Sequence, residues 1–360
     1  MSRRNCNRVV AGVLSIAAAA VFAPRASAQG CGVGEWVCHK SADGLHPDGV
    51  EQAFVWMMNR ARQDPAAEGA FLASVDAADS FVHDAVLFFS VDLGVMQDEF
   101  DALTPQPPAA FDRRLYDAAL AHANLMIDAD KLDPVCGGSG EPPCQLNRVG
   151  PAGFYFRASG LRGNALGLAP SAEFGHAAWN IDWGPLPSDP PGMQDGRPHR
   201  NGVMDTPDAI ATLPMTNTGI AVIATAGHLG PLVAVADYAN ANPVVSDHYN
   251  RFLVGTVWED LDGDTFYDPG EGKAGVTVST DTANWFAVTA PGGGYAIPLL
   301  GPGPMRVTFS GGGVATHVVD VNVGATSVLA DYEVPEPGML ASAASAVLAL
   351  IALGSRRGTN

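Results

Sequence analysis

Phe54, Met57, Met58 and Ala61 recur at the spacing of one helical face, and Asp64-Pro65 breaks the pattern. This predicts a helix that opens near Val50 and stops at the proline. Leu115, Ala118, Ala119, His122, Leu125 and Met126 form the apolar stripe of a second amphipathic helix. Residues 66–103 read as helical and partly apolar, and 104–108 as a proline-rich joint. Residues 134–170 carry no sustained period and are expected to be loop. A short helix is predicted over 171–183, and a long surface loop over 185–198, where prolines and glycines gather. The runs 219–224 and 232–238 read as strands. Beyond Pro243 the texture changes. The runs 252–258, 275–280, 285–289, 294–299, 305–309 and 315–323 are short and β-rich, with Gly and Pro between them at intervals of roughly ten residues, which predicts a small all-β sandwich. The fold class expected is α+β, with a mixed first domain over 50–243 and the sandwich over 250–333.

Both ends depart from this globular pattern. Arg3, Arg4 and Arg8 precede an apolar, alanine-rich run over 9–22, and Ala26-Ser27-Ala28 follows. These are the three parts of a secretory signal peptide over 1–28, which makes signal peptidase an expected partner and Gln29 the first mature residue. Residues 334–360 begin with Val334-Pro335-Glu336-Pro337, continue as an apolar run over 339–353 and close with Arg356 and Arg357. The run is short for a permanent span, and terminal arginines hold such an end on the cytoplasmic side. This order resembles the PEP-CTERM sorting signals of Gram-negative bacteria. The resemblance implies that Pro335, Glu336 and Pro337 are recognised by an exosortase-type sorting enzyme. The expected location is extracytoplasmic: the cell surface, the outer envelope or the medium of a Gram-negative bacterium, with membrane contact only through the terminal segments.

Charge and cysteine content agree. The formal charge is −18, and loss of the four leader arginines takes it to −22. Such a surface is repelled by nucleic acid and by anionic headgroups. Cys6 lies in the leader. Cys31, Cys38, Cys136 and Cys144 remain, an even number that suggests disulfides in an oxidising space. Short loops favour 31–38 and 136–144, with the other two connectivities open. Residues 29–49, Gly-rich and carrying the first pair, are expected to be a stapled N-terminal loop.

Several pieces of 50–243 occur in a telling order. They are Asn59-Arg60-Ala61-Arg62-Gln63-Asp64-Pro65, the Ala-rich helix with Ala121-His122, Arg148 followed by Ala152-Gly153-Phe154, then Trp179, His199-Arg200-Asn201, Gly219-Ile220-Ala221-Val222 and Ala236-Asp237-Tyr238. Together they resemble the CAP superfamily (cysteine-rich secretory, antigen 5 and pathogenesis-related proteins), whose fold is an α-β-α sandwich. That family often has a cleft of two histidines and two acidic residues able to hold a divalent metal, a donor set suited to zinc and similar ions. Carried over position by position, His199 matches one histidine. Lys131-Leu132-Asp133-Pro134 stands where the other is expected, and Gly163-Asn164-Ala165 replaces Gly-Glu-Asn. Glu173 or Asp182 can fill the remaining acidic position. The resemblance therefore implies a degenerate cleft without an efficient divalent-metal site, and His199 is expected to be a structural residue at a helix start. His122 is expected in the core, and His176 and His228 have no ligand-spaced partner. No Gly-x-Ser-x-Gly, His-Glu-x-x-His or papain-like cysteine context occurs, so no catalytic residue is assigned.

The densest chemistry is Asp260-Leu261-Asp262-Gly263-Asp264-Thr265-Phe266-Tyr267-Asp268-Pro269-Gly270-Glu271. With Asp260 as position 1, carboxylates fall at 1, 3, 5, 9 and 12, and Phe266 offers a backbone carbonyl at 7. This is the ligand schedule of a calcium loop. Thr265 holds position 6 where glycine is usual, so the turn must differ from that of an EF-hand. The loop, the following Gly-Val-Thr-Val and the later Gly294-Tyr295-Ala296-Ile297 resemble the calcium-binding B-type repeats of bacterial surface adhesins. The resemblance implies a prealbumin-like sandwich with Ca2+ bound by Asp260, Asp262, Asp264, Phe266, Asp268 and Glu271. The function expected is binding or structural, with the sandwich as a calcium-stabilised spacer and an extracellular ligand as partner. The alternatives are a secreted metal-dependent hydrolase using the degenerate cleft, or an extracellular carrier of lipids or small molecules.

Overall fold

A computed structural model describes residues 30–132, 144–184, 192–208 and 212–335. The expected signal peptide, Cys136 and the expected sorting residues Glu336 and Pro337 lie outside the described residues, as does the side chain of Cys144. The protein is mixed α and β with several sheets, as the α+β expectation has it. Its first part runs α1 (Gly49–Gln63), α2 (Pro65–Ala78), α3 (Ser80–Phe89), α4 (Leu93–Asp101), β1 (Ala110–Phe111), α5 (Arg113–Ala129), α6 (Cys144–Val149), β2 (Phe156–Ala169), α7 (Ala172–Ile181), α8 (Pro198–Val203), β3 (Asn217–Ala224) and β4 (Leu232–Ala241). There follow β5 (Phe252–Trp258), β6 (Val276–Thr280), β7 (Ala287–Val288), β8 (Gly294–Pro298), β9 (Gly303–Gly311), β10 (Val314–Val323), β11 (Val328–Leu329) and β12 (Tyr332–Glu333). No described helix is long and apolar enough to cross a membrane.

Local chemistry sets the helix ends. Asp48 and Glu51 form a capping box at the start of α1, each side chain accepting the other's backbone N–H. Asp64 closes α1 and caps α2, with Pro65 at the first helical position, where its missing N–H costs nothing. The motif residues of α1 are structural pillars. Asn59 exchanges hydrogen bonds with the backbone of Ala109. Arg62, fully buried, donates to the carbonyls of Val203, Gly202, Met215 and Pro107.

The first sheet has the order β1-β3-β4-β2, with β1 parallel to β3 and the other pairs antiparallel. The central strand β4 is buried on both faces, so its small apolar residues run on without alternation. Helix α5 packs across β3 and β4, and α1 packs on β3. The approach of α5 is so close that a Cβ on Gly219 would lie 2.0 Å from the Tyr116 nitrogen. The loop expected over 134–170 is corrected: α6 and the long strand β2 occupy much of it. Three glycines and two register shifts hide β2 from a period-2 search, and its pairing with β4 supplies the backbone partners that its own sequence does not advertise.

The β-rich part forms one sheet of order β10-β9-β6-β7 and a second in which β5 pairs with β8, β11 and β12. The strands predicted over 252–323 all appear, and the two-residue β11 and β12 join them along β5. The Cys31–Cys38 disulfide forms as expected. Within its loop, Trp36 is buried against Tyr249, Phe252 and Trp285, and Glu35 bridges Phe286 beside β7. The N-terminal staple thus fastens to the β-rich part.

That part is docked on α1. Gln52 donates to the Thr256 hydroxyl at 2.8 Å, Gly292 N–H donates to the Pro47 carbonyl at 3.0 Å, and Trp56 meets Trp258 edge-on at 5.9 Å. Trp258 and Tyr267 belong to the same core cluster as the helices of the first part.

Candidate functional site

The segment between β5 and β6 folds back on itself. Asp260 accepts the N–H of Gly263 at 2.7 Å and of Thr265 at 2.9 Å, Asp262 that of Asp264, and Asp264 that of Phe266. These turns bring one carboxylate oxygen each from Asp260, Asp262 and Asp264 within 4.8 Å of one another. Thr265 adopts φ +68°, so position 6 keeps the left-handed conformation that glycine normally supplies. The turn also has positive φ at Gly263 and Gly270.

Glu271 is buried, and its two oxygens accept from Leu261 N–H at 2.7 Å and Asp268 N–H at 2.8 Å. In this conformation it braces both ends of the loop rather than joining the three aspartates. Burial, then the charges of Asp264, Glu271, Asp262 and Asp260, push the Asp268 carboxyl above its ordinary range. At Asp260 what burial there is acts upward, but the N–H groups of Gly263 and Thr265 outweigh it and hold the carboxyl low. The donors are hard oxygens, several of them anionic and repelling each other, which suits a calcium-sized cation.

The two residues after the aspartates anchor the loop. Phe266 stacks on Phe71 of α2, and the Arg60 guanidinium of α1 lies 4.1 Å from the Phe71 ring and 4.8 Å from the Phe266 ring. Tyr267 is buried beside Trp56 and donates its hydroxyl to the Gly292 carbonyl at 2.9 Å. Composition gave no sign of this: Phe266 is expected only as a backbone-carbonyl ligand, and Tyr267 has no assigned role.

The residues expected to form a degenerate cleft are brought together only in part. Asp182, fully buried at the end of α7, accepts from His199 N–H and His199 Nδ1, both at 2.8 Å, and from Arg200 N–H at 3.2 Å. It therefore supplies the N-terminal cap that Arg197, in the left-handed region, does not provide for α8. Arg197 and Arg200 both reach Glu99, which burial raises but these two cations pull net below the ordinary carboxylate range. Glu173 stands in the first turn of α7, about 14 Å of helix from Asp182. His199 faces one carboxylate already committed to backbone amides.

Other histidines have occupations that spacing could not reveal. His122 is buried, with Nδ1 at 2.9 Å from Arg148. His176 lies 2.6 Å from Glu68, both buried, and Glu68 also meets Arg60 at 2.8 Å. His46, Asp48 and Glu51 cluster closely enough to share an ion, yet the helix cap and the Val222 N–H already engage the two carboxylates. A scan against models of known protein families finds no match, and no curated protein matches the chain.

Proposed function

We propose that this is an exported protein with a binding or structural role, whose loop over 260–271 takes one calcium ion and fixes the β-rich part against the helical part. The observation that carries the reading is the meeting of Asp260, Asp262 and Asp264 on a loop whose Phe266 and Tyr267 are wedged against α1 and α2. An ion there would relieve the repulsion among the carboxylates and stiffen the segment that joins the two parts. The β-rich part then acts as a brace as well as a spacer.

The first part is read as CAP-like and the second as an adhesin-repeat-like sandwich. What supports the first is the ordered series of motif residues and the packing of α1 and α5 on β3, with α7 and α8 on β2. What supports export is the leader, the Cys31–Cys38 disulfide and the acidic surface, and the tail argues for handling by an exosortase-type enzyme at a Gram-negative envelope. A non-catalytic first part is favoured because Asp182 is spent on capping α8 and Glu173 stands apart from His199.

Calorimetry of the full chain with calcium tests the proposal. One ion per chain at submillimolar to millimolar affinity is expected, with a rise in melting temperature. Absence of both at millimolar calcium overturns it.

A further inference from the structure

The acidic loop does not lie flat on the helices. A cleft of about 730 Å³ opens between α1, α2, the start of α7 and the loop. That volume is in the range of sites that enclose a small organic molecule. Its floor is one face of α2, where Ala67, Ala70, Phe71, Ser74 and Ala78 recur at helical spacing. Ala53 and Met57 of α1 add an apolar wall, and Phe266 closes the side formed by the loop. Ala67, Ala70, Ser74 and Ala78 are exposed, so the small side chains on this face leave the cleft open instead of filling it.

Charge is distributed unevenly around this apolar floor. Glu173, Asp264 and Asp268 border the cleft. Arg60 also borders it, but its guanidinium meets Glu68 at 2.8 Å and lies over Phe71 and Phe266. The cation is thus shared with Glu68 and the two rings, while three carboxylates leave the cleft border net negative. Glu173 has no place in the calcium ligand schedule. Solvent reaches Glu173 through the cleft, yet the crowding around it, then Asp79, Asp268 and Asp264, push its carboxyl up, and Arg60 offsets this only in part.

We propose that this cleft binds a small amphiphile with an aliphatic body and a cationic head, the body along α2 and the head at Glu173. The inference rests on the cleft's own lining and stands apart from the calcium reading.

The test is titration of the full chain with dodecyltrimethylammonium below its micelle concentration, with dodecanoate as the anionic counterpart, in millimolar calcium. One saturable site is expected for the cation, with dodecanoate at least about tenfold weaker. Glu173→Gln should remove most of that preference while leaving aliphatic binding. Ala70→Trp or Ser74→Phe should abolish binding of both probes, and exposure of both positions lets the larger side chains be carried without disturbing the fold. No saturable site, equal affinity for the two probes, or binding that survives both cleft-filling variants overturns the proposal. Because calcium is present throughout, a failed titration counts against the cleft, whereas failure of the loop to bind calcium appears in the ion titration alone.

Discussion

Phe266 of the acidic loop stacks on Phe71 of α2, with ring centroids 4.7 Å apart and planes 18° from parallel. One residue of a ligand schedule is thereby a packing residue of the helical layer, and loop conformation and docking become a single variable. Arg60, beside both rings, adds a cation–π contact and holds Glu68, which in turn pairs with His176.

The first prediction follows from that stack. Phe266→Ala removes a half-buried ring and its contacts with Phe71, Trp56 and Arg60. A destabilisation of about 2 kcal/mol is expected, below the range for a fully buried phenylalanine. Thermal unfolding measures it. An unchanged melting temperature would mean that the loop rests on the surface without contributing to the docking.

Asp262 separates ion binding from folding. Its side chain is exposed and, among the described residues, accepts the Asp264 N–H at 3.2 Å. Asp262→Ala should change stability in chelator by no more than about 0.5 kcal/mol. The same variant should lose most of the calcium-induced rise in melting temperature and bind the ion at least about tenfold more weakly. A variant that responds to calcium like the parent chain would remove Asp262 from the ligand set.

Elements with a clean period were legible in the sequence. The helices containing Phe54–Ala61 and Leu115–Met126 and the strands after Pro243 are written in apolar spacing, because one face of each meets a core. Strand β2 was not, since Gly160, Gly163 and Gly167 leave gaps in any alternation and its partner β4 lies more than sixty residues on. The grouping of Asp260, Asp262 and Asp264 was legible, because their spacing is local. The loop's anchoring on Phe71, and the pairings His176–Glu68 and Asp182–His199, were not, because nothing local marks a partner that only the fold brings near.

Asp182 and His199 give opposite expectations for a structural and a catalytic reading. Asp182→Ala strands the N–H groups of His199 and Arg200 in a buried setting, and a loss of about 3 kcal/mol is expected. His199→Ala removes a ring that is one-quarter exposed, and about 1 kcal/mol or less is expected. Chemical denaturation of the two variants checks the order. A His199 variant as damaging as the Asp182 variant would point to a role for the imidazole beyond the cap.

His39 gives the N-terminal staple a dependence on pH. Its ring is buried, with Nδ1 against the Trp36 carbonyl and Nε2 at 2.9 Å from the Val288 carbonyl of β7. Burial and then Lys40 push it from 6.5 down to about 4, and the two carbonyls oppose this less strongly. The unfolded chain therefore takes up a proton below pH 6.5 that the folded chain refuses until about pH 4. Stability present above pH 6.5 is lost as pH falls, by up to about 3 kcal/mol once pH 4 is reached. His39→Gln cannot titrate. It should be less stable than the parent at neutral pH, because a fitted ring is lost, and the gap between the two melting temperatures should narrow steadily towards pH 4. Melting curves that fall in parallel over that interval would show that His39 is protonated in the folded chain, its two carbonyl neighbours outweighing its burial.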